Sequence, residues 1–139
     1  MSCQSSSYPV IELRLPQYGY QSVDYYWYTV PDETDIDPDT GEPVREPVDL
    51  TGYTARMTVR SAYGAAEVFT LTTGGSGITL GTTDGKITIV FDEDNTALLV
   101  TTSTIKSYVA DLLMINGSGN PHRLLDFIIL PRPGATQLP

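Results

Sequence analysis

The densest concentration of reactive side chains in this 139-residue chain is acidic. Asp35, Asp37 and Asp39 stand at positions one, three and five of a segment whose twelfth residue is Glu46, the carboxylate spacing of a calcium loop. The rest of that pattern is missing. Gly41 falls one place late, Pro38 and Pro43 stiffen the segment, and no helical period flanks it. The expected behaviour is that of a solvated, proline-rich turn. Asp35, Asp37, Asp39 and Glu46 are the residues a cation would use, and no metal is assigned.

His122 is the single histidine. It follows Pro121 at an expected hairpin tip, with Arg123 beside it and Asp126 downstream. Nucleophilic catalysis would need a serine or cysteine poised against that imidazole. Cys3 lies in a Ser-rich N-terminal stretch, and no motif marks a serine. His122 therefore reads as an exposed turn residue. Asp92 and Asp94 read as helix-start residues and not as an acid–base pair. There is no Gly-rich phosphate loop and no cysteine cluster, so the sequence predicts a non-enzyme without a cofactor.

Tyrosine is abundant: nine residues, with Tyr18, Tyr20, Tyr25, Tyr26 and Tyr28 clustered around the lone Trp27. Tyr and Trp join a large apolar face to a polar tip, which suits protein interfaces and carbohydrate stacking. In a strand, alternate members fill the core. The others, Tyr26 and Tyr28, are expected to face partners.

The elements that must position these groups are strands. From Tyr53 the chain alternates strictly, with Tyr53, Ala55, Met57 and Val59 on one side and Thr54, Arg56, Thr58 and Arg60 on the other. A period of two over eight residues is a half-buried strand. Further strands are expected at Tyr8–Leu15, Val23–Val30, Glu67–Leu71, Ile78–Leu80, Lys86–Phe91, Tyr108–Ile115 and Arg123–Leu130. Asp84-Gly85 marks a hairpin. Asp92 to Thr96, leading into Ala97-Leu98-Leu99, predicts a capped helical turn. Short strands with Gly-rich turns predict an all-β, antiparallel, immunoglobulin-like β-sandwich over residues 8–130. An acidic insertion loop at 32–48, a flexible tail at 1–7 and an extended tail at 131–139 complete it, the prolines of the last ending the sheet.

Two strands break the alternation. Leu112-Leu113-Met114-Ile115 and Phe127-Ile128-Ile129-Leu130 are apolar on both sides. A two-layer sandwich covers only one face, so Leu113, Ile115, Ile128 and Leu130 are expected to meet another subunit.

Charge and composition narrow the classes. Of the net −9, the segment from Asp32 to Asp49 holds −7, eight acids against the single base Arg45. The acidity belongs to one loop. Scattered Lys and Arg do not make the basic stripe a nucleic-acid binder needs. A lone cysteine forms no internal disulfide, no apolar run reaches membrane-span length, and Met1-Ser2-Cys3-Gln4 has no secretory pattern. The expectation is folding in a cytoplasm.

The stretch Val48-Asp49-Leu50-Thr51-Gly52-Tyr53-Thr54-Ala55-Arg56-Met57-Thr58-Val59-Arg60-Ser61 resembles the signature of small β-sandwich proteins encoded by tailed bacteriophages. They are similar to the N-terminal domain of the upper baseplate proteins that anchor receptor-binding proteins. The resemblance continues through Phe69-Thr70-Leu71, Gly77-Ile78-Thr79-Leu80, Gly85-Lys86-Ile87-Thr88-Ile89, Thr96-Ala97-Leu98, Tyr108-Val109-Ala110-Asp111-Leu112 and Arg123-Leu124-Leu125. It implies a virion structural protein, assembled in the bacterial host cytoplasm, whose partners are other virion proteins and copies of itself. The tail is the implied station: baseplate, fibre attachment or neck adaptor. The alternatives are a head decoration protein and a carbohydrate-binding module stacking sugars on Tyr25, Tyr26, Trp27 and Tyr28. Two departures stand out: the acidic loop replaces a short turn, and the resemblance is to the assembly module alone, so no fibre or receptor-binding role is expected of these residues.

Overall fold

The computed structural model describes residues 10–75, 77–100 and 106–132. In chain order the elements are β1 (Val10–Pro16), β2 (Gln21–Tyr26), β3 (Tyr28–Thr29), β4 (Glu46–Pro47), β5 (Thr54–Arg60), β6 (Glu67–Thr72), β7 (Ile78–Leu80), β8 (Lys86–Phe91), α1 (Glu93–Ala97), β9 (Tyr108–Ile115) and β10 (Pro121–Arg132). The larger sheet has the order β1-β10-β9-β5-β6, and the smaller one β2-β8-β7. This is the strand order of a variable-type immunoglobulin-like sandwich with its first strand carried over to the larger sheet. That exchange makes β1 and β10 a parallel pair, Val10 opposite Asp126 through Pro16 opposite Arg132. The other paired strands run antiparallel, as expected for the whole.

The layers meet because each strand puts every second residue inward. Ala55, Met57 and Val59 of β5 are buried against Leu112 and Met114 of β9, Phe127 and Ile129 of β10, and Ile87, Ile89 and Phe91 of β8. Each full burial of a large aliphatic or aromatic side chain contributes about 1.5–3 kcal/mol. Two aromatic contacts tie the sheets across the core: Phe69 with Phe91 at 6.5 Å, and Tyr25 with Phe127 at 5.8 Å between ring centroids. Tyr108, at the start of β9, is buried, and its hydroxyl donates to the Val100 carbonyl at 2.6 Å. Immunoglobulin-like sandwiches carry such a tyrosine corner at this strand. Ala110, two residues on, is buried where antibody domains place a cysteine.

The expected helical turn is α1. Asp92 caps it, its carboxylate accepting from the Asn95 amide at 2.8 Å, with Glu93 and Asp94 in the first turn. The buried Thr96 hydroxyl donates to the Gly19 carbonyl at 2.8 Å and accepts from the Gly19 amide at 3.0 Å, fixing the β1–β2 connector.

Beyond shifts of one or two residues at strand ends, three features differ from the sequence reading. The strand expected at Val23–Val30 breaks at Trp27, whose amide still donates to Gly85 while its carbonyl turns to accept from Val48. The chain thus leaves β8 and pairs β3 with β4. The acidic segment is consequently a hairpin and not an extended loop. Ile36 bridges Pro43, the Asp37 amide donates to Glu42 and the Val44 amide to Asp35, both at 2.8 Å. Finally, Pro131 and Arg132 belong to β10 although a tail was expected from 131. The Arg132 carbonyl accepts from Gln17, so it faces β1, while Pro131 faces away, past the last β9 pair at Ile129 and Tyr108. A missing amide costs nothing there. The expected tail at 1–7 and residues 133–139 lie outside the described residues.

Candidate functional site

The outer face of the five-stranded sheet is the first candidate surface. Its geometry follows from register. Ile128 lies opposite Val109 on one side and Glu12 on the other, Leu130 opposite Arg14, and Val10 opposite Asp126. Ile128 is 39% and Val10 59% exposed, and Val109 and Leu130 beside them are half-buried. Tyr63, 71% exposed, borders a shallow depression with Val109, Thr58 and Arg60. Charges rim this patch. Glu12 pairs with Arg14 at 3.1 Å, and Asp111 with Arg123 at 3.0 Å.

All four apolar residues expected to point outward, Leu113, Ile115, Ile128 and Leu130, do so, but they do not form one surface. Asp111 lies directly opposite Asp126 across β9 and β10, and this carboxylate row separates Leu113 and Ile115 from Ile128 and Leu130. Like charges directly opposite are unfavourable, and Arg123 offsets one of them. A bulge between Arg123 and Leu125 shifts the register just before that row.

The aromatic cluster is the second candidate surface, between the end of β2 and the start of β10. Tyr26 and Tyr28 stack with centroids 6.4 Å apart and planes at 19°, both exposed. The Arg45 guanidinium lies 5.5 Å over the Tyr28 ring, within cation–π range. These three, with Trp27, Leu124 and Leu125, line a cleft of about 360 Å³.

The four residues proposed as a sugar platform all line this cleft but differ in their ring partners. Tyr25 turns inward onto Phe127, and burial raises its pKa above the ordinary tyrosine value. Trp27 stacks instead on His122, at 5.3 Å and 20°, and meets Tyr53 edge-on at 5.8 Å. His122 is thus an aromatic partner and not a bare turn residue. Sequence reasoning missed this trio and Tyr63, since nothing local links Trp27 to a histidine on β10.

The four acids weighed as cation ligands all lie in the acidic hairpin and β4. Glu46 sits in β4 opposite Thr29, while the Asp37 carboxylate accepts from the Asp39 amide at 2.8 Å. Among the described residues no group of three His, Cys, Asp or Glu is placed to hold a metal ion. Asp32 and Asp49, at the hairpin's base, accept from the Thr34 hydroxyl and amide and from Thr51, which lowers both carboxyl pKa values.

No family model matches this chain, and no curated protein does. Among solved structures, the first immunoglobulin-like domain of human CD48 antigen is similar over 99% of this chain and 94% of that one. The identity is 6% and the TM-score 0.36. Strand order and the tyrosine corner make the fold immunoglobulin-like.

Proposed function

We propose that this chain is an assembly module of a tailed-bacteriophage virion, a non-enzymatic structural protein of the tail that works through protein–protein contacts. The observation that carries the reading is the apolar group on the outer face of β1, β10 and β9, where Val10 and Ile128 are exposed and Val109 and Leu130 half-buried. An apolar centre within a charged rim is the anatomy of an interface. Among the described residues no second layer covers the outer face of β9 and β10, whose apolar side chains beside the Asp111 and Asp126 row a free monomer has no use for. The sequence resemblance supplies the particle; the outer face supplies the mechanism, which is geometric. Neighbouring virion proteins and further copies of the chain are the partners, and the virion is the location.

Ile128→Asp tests the reading. It places a charge at the centre of the patch without touching the core, so the β circular-dichroism spectrum should be unchanged and incorporation into particles lost. Normal incorporation of Ile128→Asp, Val10→Asp and Leu130→Asp alike would move the interface off this face.

A further inference from the structure

The acidic hairpin and the aromatic cleft share a wall. Tyr28 and Arg45 line the cleft of Tyr26, Trp27 and Leu124, and they also line a second one, about 340 Å³, bounded by Asp37 and Glu42. The first is apolar and aromatic; its neighbour carries carboxylates. The ion pairs between described residues, Arg14 with Glu12, Lys86 with Asp24 and Arg123 with Asp111, all lie outside the hairpin. Its one base, Arg45, rests on the Tyr28 ring. Eight acids against one base therefore leave a concentrated negative field beside an exposed stack of rings.

We propose that these paired clefts dock an extended, proline-containing basic segment of a neighbouring protein. Its prolyl rings lie on Tyr26 and Tyr28, and a lysine or arginine reaches Asp37 and Glu42. The inference rests on the assembly reading, since it names the chemistry of one partner. Aromatic-lined grooves take polyproline segments because such ligands are already extended and lose little entropy on docking. The hairpin's field speeds the approach of a cationic segment and rejects an acidic one.

The test uses the full chain and a fluorescently labelled peptide of three Pro-Pro-Arg repeats, read by anisotropy. The peptide should bind about tenfold more tightly than three Pro-Pro-Glu repeats. It should bind roughly fivefold more tightly than three Gly-Gly-Arg repeats, which carry the charge without the rings. Tyr28→Ala, and separately Asp37→Asn with Glu42→Gln, should each weaken it roughly fivefold, with thermal unfolding unchanged. Added salt should weaken it too. Equal binding of the arginine and glutamate peptides overturns the proposal, as does full affinity for the glycine peptide or no binding at all. Displacement of the peptide by a neutral oligosaccharide overturns it in favour of a sugar site. Ile128→Asp should leave these affinities unchanged. Failure with the peptides alongside an intact Ile128 effect strikes the clefts only, and the converse strikes the outer-face reading only.

Discussion

Tyr108 and Thr96 show how single side chains close this sandwich. The Tyr108 hydroxyl holds the Val100 carbonyl, so Tyr108→Phe should cost about 1 kcal/mol in urea unfolding, the net worth of one hydrogen bond. Burial raises the Tyr108 pKa above its ordinary 10.0. The folded chain then holds this proton more tightly than the unfolded one. The resulting stability is fully present below pH 10 and is lost as pH rises through the raised value, with Tyr25 acting in the same direction. Stability followed by denaturant titration should fall above pH 10, and fall less steeply in Tyr108→Phe. The sequence placed Tyr108 at the start of a strand. Its hydroxyl's partner was not legible, because Val100 lies in a connector with no periodicity of its own.

At the scale of elements, alternation made β5 readable, and Asp-Gly made the β7–β8 hairpin readable. The break at Trp27 was not. Aromatic residues on both sides of it read as one long strand, yet the carbonyl of Trp27 turns to Val48, a partner twenty-one positions away. Gly85 makes that turn possible. Its φ is +69°, and a Cβ there would collide with the Trp27 carbonyl, so Gly85→Ala should destabilise by roughly 1–3 kcal/mol in thermal or chemical unfolding. The acidic hairpin escaped prediction because its prolines argue against pairing. In the structure they sit at ends and bridges, while Asp side chains satisfy local amides. Asp92→Ala removes the cap of α1 and should cost about 1 kcal/mol; circular dichroism would barely register so short a helix, so the check is again chemical unfolding.

For the molecule as a whole, the class of fold and the outward residues of β9 and β10 could be read from the pattern of apolar residues. The parallel seating of β1 on β10 could not, since alternation says nothing about which strand is a neighbour. Nor could the row of Asp111 and Asp126, which only the register across β9 and β10 places together and which divides the outer face. The proposed interface is therefore the smaller patch around Ile128. Thiol labelling measures its fate most directly. In a Cys3→Ser background, Ile128→Cys and, separately, Thr83→Cys on the β7–β8 hairpin of the opposite sheet are treated with a maleimide, free in solution and in assembled particles. The thiol at 128 should label readily in the free chain and be shielded in the particle, with the thiol at 83 reactive in both. Equal labelling at 128 in the free and assembled states would contradict assembly through this face.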